Sequence, residues 1–477
     1  MKLLTTTLAA ACALTSGMAT AGQGDIDTTF GINGYTKIDV LQPFGAEYTH
    51  IDRATMIKGP NERLYVVGSV IKSDVLHWFP AVTRLMSNGA VDTTFNGGIA
   101  SFDFGPNTWF LPRSAARATD GGIVLAGEWA SLDNQTARPG VCKLSIDGVL
   151  DTGFGDEQGP KPGCRRFDSF SSAPLIETGI PTISVARTSD GGYVVAMANE
   201  VGVNDWHGAI ARLNSAGDVD TTFGVNGYAI IADGSGAFYP HQIATRPNGS
   251  ILVSGSFRTG PQNYSVVVAD LDPQGMFYDA EVITIDNLNP QQPYAVPWAL
   301  TVRPNGEVVV AGEAQTMDAG GRAAFIVRLD EELNPIVPAG AQFPNALFDM
   351  NRRAFKVADG CLKQRVTSLS SLSDGGLLIA GDYKCDSDGE LFAIRLNADW
   401  ALDTNFGTNG QTSVSFNSFG GDNLDDVIPT VVLQDSGDAV IAGMHGIDIF
   451  YGDDVYGVTR LNTGECDIFC DNFEDDD

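Results

Sequence analysis

The sequence lacks the common signatures of catalysis and of membrane insertion. Its 477 residues contain no HExxH, GxSxG, P-loop, paired CxxC or GxGxxG motif, and its five histidines are scattered without metal-ligand spacing. After Ala21 no apolar run approaches the roughly 20 residues of a membrane span, and helical periodicity is missing as well. These absences argue against zinc peptidases, serine hydrolases, nucleotide-binding enzymes and helical membrane proteins.

Positive charge is also scarce. The chain has 29 Lys and Arg against 59 Asp and Glu, a formal net charge of −30. The electrostatic field of so negative a chain repels nucleic acid and anionic membranes, so we expect neither as a partner. Three acidic clusters offer oxygen ligands to calcium, but none has the EF-hand pattern, and we predict solvated loops and no cofactor. These clusters are Asp386 to Glu390, Asp422 to Asp426 and Asp453 to Asp454.

The first 21 residues have the pattern of a secretory signal. Lys2 precedes an apolar stretch from Leu3 to Leu14, and the small residues before Ala21 predict cleavage after it. A lipoprotein signal at Cys12 is the competing interpretation, although its apolar run would be very short. We therefore expect a monomer that is secreted, periplasmic or on the cell surface of a bacterium, with no membrane span.

A short stretch, DTTFGxxG, recurs down the chain at intervals of about 60 residues. Asp and Thr accept hydrogen bonds from nearby backbone N–H groups, Phe offers one large apolar side chain, and Gly supplies positive φ, so the stretch predicts a structural corner whose Phe enters a neighbouring layer. A gap of 183 residues between the last two copies leaves room for two worn ones. The copies start at Asp27, Asp92, Asp151, Asp220 and Asp403, and the worn ones lie at Leu271 to Asp279 and Leu329 to Pro335.

Seven short apolar runs, one per repeat, follow turn signals such as TDGG or PNGE. Runs without polar alternation indicate strands covered on both faces, and the turn before each run predicts a tight hairpin. They are Leu64 to Gly68, Ile123 to Gly127, Tyr193 to Met197, Ile251 to Gly255, Val308 to Gly312, Leu377 to Gly381 and Ala439 to Gly443.

A third strand follows each hairpin, and a fourth strand follows the corner, as in Tyr35 to Val40. Five third strands carry an arginine before their last leucine. Because one catalytic site would not need five, we interpret this arginine as the partner of a turn carboxylate. The five are Arg84, Arg212, Arg328, Arg395 and Arg460.

Four antiparallel strands repeated seven times predict an all-β fold, a seven-bladed β-propeller over residues 22–464, followed by an acidic tail at 465–477. The N-terminal strand either completes the last blade, which would remove free sheet edges and which we favour, or starts the first. The repeats also resemble the delta-60 repeat family, whose units pair a DGxIxVAG hairpin with RLxxDGxxDxTFGxxG; Ser189 to Met197 with Arg212 to Gly227 matches closely. That resemblance implies a propeller and export. It does not imply a particular activity.

Six cysteines remain after signal removal, and an even number in an exported chain predicts disulfides. The strand assignment favours three pairs. Cys142 and Cys164 lie on or beside neighbouring strands, Cys361 and Cys385 flank one hairpin, and Cys466 and Cys470 would close a small loop in the tail.

One propeller face should collect the long connections between second and third strands, and loops on a rigid scaffold commonly carry function. These loops are Ser69 to Pro80, Glu128 to Pro139, Ala198 to His207, Ser256 to Asn263, Glu313 to Arg322 and Met444 to Tyr456. Five tryptophans lie in these loops or between blades, where they are candidate ligand-binding residues; the alternative is that they cap the blade cores. They are Trp78, Trp109, Trp129, Trp206 and Trp298.

Three functions remain open at this point. We favour a non-enzymatic scaffold that binds an unknown protein or glycan on the long-loop face, with no catalytic or metal residues. A polysaccharide lyase or glycosidase with carboxylates in the central channel is the first alternative, and it requires an Asp or Glu pair. A structural or adhesive envelope component is the second.

Overall fold

The structure, a computed structural model, is described here for most of the chain. The described residues are 22–40, 55–72, 77–105, 108–131, 136–155, 161–168, 170, 183–202, 205–231, 237–260, 263–283, 285, 293–315, 321–336, 354–355, 357–358, 361, 363–385, 388–416, 419, 429–445 and 455–463.

The described residues form 28 strands and a single 3-10 turn, Asn96–Gly98. In chain order the strands are β1 (Tyr35–Ile38), β2 (Thr55–Lys58), β3 (Leu64–Lys72), β4 (His77–Leu85), β5 (Ile99–Ala100), β6 (Thr108–Arg117), β7 (Ile123–Ser131), β8 (Thr136–Leu144), β9 (Cys164–Arg166), β10 (Ile183–Arg187), β11 (Tyr193–Gly202), β12 (Asp205–Leu213), β13 (Tyr228–Ile231) and β14 (Ala237–Thr245). The remaining strands are β15 (Ile251–Gly260), β16 (Asn263–Leu271), β17 (Phe277–Ile283), β18 (Ala295–Val302), β19 (Val308–Gln315), β20 (Arg322–Leu329), β21 (Ala354–Phe355), β22 (Lys363–Ser371), β23 (Leu377–Cys385), β24 (Asp388–Leu396), β25 (Gln411–Val414), β26 (Thr430–Leu433), β27 (Ala439–His445) and β28 (Val455–Leu461).

These strands form sheets of four, as the repeat predicts. Sheets 1 to 4 are β2–β5, β6–β9, β10–β13 and β14–β17, each antiparallel and in chain order. Sheet 5 has eight strands, because its halves β18–β21 and β22–β25 are joined by one parallel pair, Arg322 with Lys363. The predicted all-β fold of four-stranded antiparallel units is confirmed.

Sheet 6 combines the two ends of the chain. Its order is β1-β28-β27-β26, with Tyr35 opposite Thr459 and Ile38 opposite Tyr456. The N-terminal strand therefore supplies the fourth strand of the last sheet, and this preferred mode of joining the ends is confirmed.

The apolar cores lie between consecutive sheets. One cluster packs Val194, Ile210 and Phe223 of sheet 3 against Val253 and Leu271 of sheet 4. Equivalent clusters join each sheet or half-sheet to the next, and another joins sheet 6 to sheet 1. Because both faces of a sheet are covered in this way, the second strands are apolar at successive positions.

The arginine before the last leucine of the third strand is a clamp between sheets. Arg84 Nε donates to Asp92 of its own corner at 2.8 Å, and Asp92 Oδ1 accepts from the Thr94 N–H at 3.1 Å. Burial alone would raise the pKa of Asp92, but the bonds from Thr94 and Arg84 lower it below its ordinary value. A second guanidinium nitrogen of Arg84 donates to the carbonyl of Ile146 in sheet 2.

The same clamp recurs around the chain. Arg212 and Arg460 pair with Asp220 and Asp27 and donate to carbonyls of the following sheet, at Pro273 and Ser87. Lys143 with Asp151 at 2.9 Å and Arg395 with Asp403 at 3.0 Å complete the set of corner pairs. The predicted pairing of third-strand arginines with turn carboxylates is confirmed.

The two worn repeats keep the clamp with different residues. In sheet 4 the charges are exchanged, since Asp270 takes the third-strand position and pairs with Arg246, which donates at 2.7 Å to the Glu331 carbonyl in the next sheet. In the first half of sheet 5, Arg328 pairs with Glu307. The ionic contact is therefore retained where the DTTF corner is lost.

The corner phenylalanines pack into the next sheet, as predicted. Phe223 of sheet 3 lies against Gly275 of sheet 4, where a Cβ would approach the ring to 2.7 Å. Phe30 of sheet 6 contacts Gly89 of sheet 1 in the same way, and Phe95 and Phe154 contact Gly148 and Gly217. The glycine permits the close approach of ring and backbone.

Two predicted disulfides are present. Cys142 bonds Cys164, with Cα atoms 4.1 Å apart, and Cys361 bonds Cys385, with Cα atoms 4.2 Å apart. The first links neighbouring strands β8 and β9 at a directly opposed pair. Cys466 and Cys470 lie outside the described residues.

The assignment of the second-to-third connections to long loops is wrong for most of their residues. In sheet 1, Ser69, Val70 and Ile71 pair with Pro80, Phe79 and Trp78, so the strands continue far beyond the Gly68 that ends the apolar run. Backbone pairing persists there because both strands remain extended and satisfy each other's N–H and C=O groups. Only four residues separate β3 from β4.

Replacing a corner phenylalanine should destabilise the fold strongly. We expect Phe223→Ala to lower the free energy of unfolding by about 3–5 kcal/mol, because it empties a buried site between two sheets. Phe277→Ala is the control; this ring is 52% exposed, and its loss should change stability by about 0.5 kcal/mol or less. Urea-induced unfolding measures the free energy of unfolding of both variants. Equal losses in the two variants would contradict the role of the corner phenylalanine in joining neighbouring sheets.

Candidate functional site

The two ends of the sheets carry different structures. The corners and clamps occupy the end at which third strands lead into fourth strands, which we call the turn face. At the opposite end, second strands lead into third strands after Lys72, Ser131, Gly202, Gly260, Gln315, Cys385 and His445; we call this end the distal face. The turn face is largely committed to holding the sheets together.

The first strands of four sheets or half-sheets are bulged near the distal face. The register shifts at Arg113, His241, Trp298 and Thr367. The glycine that ends the apolar run lies opposite each bulge, and a Cβ on Gly312 would come within 2.0 Å of the Val296 carbonyl oxygen. The repeated glycine is therefore needed for close backbone approach, and the bulge redirects one side chain.

Polar side chains pair beside these bulges. Arg365 donates to Asp382 at 2.7 Å, and its guanidinium carbon lies 4.8 Å from the Trp298 ring centre. His241 Nε2 is 2.9 Å from Ser256 Oγ. Asp382 and Ser256 each occupy the second-strand position directly after the glycine. One repeated position therefore supplies both partners.

The carboxylates at this position are held by cations. Glu128 lies 3.7 Å from Arg113, and both side chains are buried. Asp382 is paired with Arg365, and Glu313 with Arg322 at 2.8 Å. Each of these three carboxylates is therefore partnered by an arginine.

An aromatic row crosses three sheets at the distal face. Trp206 of sheet 3 and Tyr239 of sheet 4 have ring centres 6.1 Å apart, Tyr239 and Tyr264 are 6.5 Å apart, and Tyr264 and Tyr294 are 5.7 Å apart. These separations lie within the range of favourable aromatic contacts. The row is mostly buried, so it forms a rigid base beneath the face.

Arg322 lies at the end of the row. Its guanidinium carbon is 4.5 Å from the Tyr294 ring centre, and its Nη1 donates to Glu313 Oε1 at 2.8 Å. The Glu313 side chain is 1% exposed, whereas that of Arg322 is 39% exposed. The structure thus presents a guanidinium to solvent in an orientation fixed by a buried carboxylate and an aromatic ring.

The surroundings of Tyr294 raise the pKa of its hydroxyl. Burial raises the pKa of its hydroxyl far above the ordinary value, and the negative charge of Glu313 raises it further. Its hydroxyl donates to Glu313 Oε1 at 3.3 Å. Tyr294 therefore remains neutral and helps to position the carboxylate that holds Arg322.

The five candidate tryptophans lie on strands, which corrects their assignment to loops and connections. Trp129, Trp206 and Trp298 are only 3%, 4% and 6% exposed, and their rings pack on the aromatic cluster of Phe104 and Phe110, on the aromatic row and on Arg365. Trp78 on β4 and Trp109 on β6 are half-buried. Only these two retain surface for a ligand.

Sequence reasoning missed Tyr239, Tyr264, Tyr294 and Arg322. One signal was available: proline directly precedes three bulged residues, in Pro112-Arg113, Pro240-His241 and Pro297-Trp298. A proline in a strand marks a bulge or an edge, so this recurrence locates the bulges and the polar pairs beside them.

No group of three or more His, Cys, Asp or Glu side chains within the described ranges is arranged to hold a metal ion. In the same part of the chain no helix has the length and apolarity to cross a membrane. The acidic clusters at 422–426 and 453–454, and part of the one at 386–390, lie outside the described residues.

A family model described as a beta-propeller domain of unknown function, DUF5122, matches residues 199–223 and 372–406. The first segment covers the end of β11, all of β12 and the corner at Asp220, and the second covers β23, β24 and the corner at Asp403. The fold is a β-propeller. No curated protein is significantly similar to the chain.

Several solved structures are similar to the chain at low identity. A protein of unknown function from Dyadobacter fermentans is 14% identical, with 90% of this chain and 100% of that chain covered and a TM-score of 0.46. The GH93 alpha-L-arabinofuranosidase of Fusarium graminearum is 11% identical, with 75% and 94% covered and a TM-score of 0.42. An endo-arabinase from Bacteroides thetaiotaomicron is 12% identical, with 61% and 97% covered and a TM-score of 0.32.

The state of Tyr294 makes stability depend on pH. Because its pKa is raised on folding, its contribution to stability is complete below about pH 10, the ordinary pKa of tyrosine, and is lost as pH rises above that value. We expect Tyr294→Phe to remove up to about 1.4 kcal/mol per pH unit from the alkaline slope of the unfolding free energy. Tyr278→Phe, at an exposed tyrosine, is the control, and an unaltered slope in Tyr294→Phe would contradict the assignment.

Proposed function

We propose that the chain is an exported, non-enzymatic scaffold, a seven-bladed propeller that binds a glycan or a protein on its distal face. The ligand would contact Arg322 and the half-buried rings of Tyr294, Trp78 and Trp109. The observation that carries the proposal is Arg322, an exposed cation oriented by the buried Glu313 in a chain whose net charge is −30.

Contacts between first strands support the count of seven and the closure of the ring. The strands β2, β6, β10, β14, β18, β22 and β26 each pack against the next, and β26 packs against β2. The two halves of sheet 5 then count as separate blades. Apolar clusters between all successive units, including the last and the first, agree with this count.

The fixed guanidinium supports recognition of a planar acceptor. Arginine binds carboxylate and similar oxygen pairs through parallel N–H bonds, and aromatic rings accept the apolar faces of sugars or of peptide side chains. Because Arg322 is already held in one orientation, little conformational entropy would be lost on binding. A uronic acid of a glycan and an acidic residue of a protein both offer the required group.

The paired carboxylates support binding over hydrolysis. Glu128, Glu313 and Asp382 each have an arginine partner, so the lyase or glycosidase alternative lacks a free acid and base among them. Export is supported by the signal-like N-terminus and agrees with the two disulfides.

Binding to arrays of neutral and uronate-containing oligosaccharides and of envelope proteins tests the proposal. We expect Arg322→Ala to weaken the strongest interaction about tenfold to a hundredfold, since a hydrogen bond to a charged group is lost, and Trp109→Ala to weaken it as well. Arg166→Ala is the matched control, because Arg166 is similarly exposed and pairs with Asp168. Equal effects of the two arginine substitutions would contradict the assigned face, and turnover of any array glycan would contradict a non-enzymatic role.

A further inference from the structure

The outer strand of sheet 4 differs from every other described outer strand. β17 has seven residues, whereas β1, β5, β9, β13, β21 and β25 have two to four. Sheet 4 lacks the DTTF corner. The Asp272 N–H bonds the Met276 carbonyl at 2.9 Å, and this tight turn leads directly into β17.

This edge exposes several apolar side chains and lies beside no other described strand. Sheet 4 ends at β17, and no other described strand pairs with its outer side. Phe277, Tyr278 and Val282 are 52%, 77% and 55% exposed. Proteins normally protect free edges with short strands, charged side chains, proline or bulges. β17 is long and has no lysine or proline; its protection is limited to Asp279, Glu281 and a register shift at Tyr278. A long exposed edge of this kind accepts a further strand through main-chain hydrogen bonds.

The charges on β17 indicate which strand it would accept. The register to β16 shifts at Tyr278. Asp279 and Glu281 therefore lie on one side of the strand with Ile283, while Phe277 and Val282 lie on the other. In a two-fold antiparallel pairing of two copies centred on Ala280, Asp279 would face Glu281, and like charges in direct opposition are destabilising. The net charge of −30 adds repulsion between copies.

We infer that the edge of β17 binds an extended segment of another protein, one in which lysine or arginine alternates with apolar residues. The cationic side chains of that segment lie opposite Asp279 and Glu281, and its apolar side chains cover Phe277 and Val282. This surface lies on the outer rim of sheet 4 and is separate from Arg322, so it is independent of the proposed function.

Titration with short synthetic peptides tests this inference. The probes are an acetylated peptide of alternating lysine and valine, the same peptide with glutamate in place of lysine, and a version N-methylated at alternate residues to block strand pairing. We expect the lysine peptide to bind, and the glutamate and N-methylated peptides to bind at least about tenfold more weakly. Equal binding of the N-methylated peptide would overturn strand addition.

Charge reversal locates the site. D279K/E281K should weaken the lysine peptide about tenfold and strengthen the glutamate peptide, since both cross-strand charge pairs change sign. The control D39K/E200K makes the same change of net charge at exposed positions on other sheets and should leave binding unchanged. Equal loss in both variants, or a concentration-dependent dimer of the wild-type chain in sedimentation that D279K/E281K alters, would overturn the inference.

Discussion

The structure depends on the ionic clamp at the turn face. A guanidinium near the end of a third strand neutralises the carboxylate of its own corner and donates to a backbone carbonyl of the following sheet, as Arg84 does with Asp92 and Ile146. The corner phenylalanine enters the same neighbouring sheet. Each thin sheet is thus stabilised mainly by its neighbours. The Asp27–Arg460 pair and Phe30 perform this task between the last sheet and the first.

Commitment of the turn face to structure leaves the distal face free to vary. Bulges in the first strands, allowed by the glycines opposite them, direct Arg113, His241 and Trp298 into buried contacts. These contacts use one position of the repeat with different residues, from Glu128 and Asp382 to Ser256. The repeat therefore keeps the backbone geometry constant while the residue at this position differs from sheet to sheet. In propellers generally, such variation on a constant scaffold is what produces different binding surfaces.

Repetition made much of the fold predictable from the sequence. The corner at Asp92, the arginine before Leu85 and two of the three cysteine pairs are local patterns with direct physical meaning, and these were confirmed. The length of β3 beyond Gly68 was not predictable, because pairing of mixed polar and apolar residues depends on the partner strand. The aromatic row was missed for a related reason: Trp206, Tyr264 and Tyr294 come from three sheets, and their contact follows from the relative position of those sheets.

Hydrogen exchange of β1 tests the central claim most directly. If the N-terminal strand joins the last sheet to the first, the paired amides of Tyr35–Ile38 should exchange as slowly as those of Ala439–His445 in β27, because both would open only in global unfolding. Removal of residues 22–40 should then accelerate exchange throughout sheets 1 and 6. Rapid exchange of β1 in the intact chain, at the rate of a frayed terminus, would contradict the account.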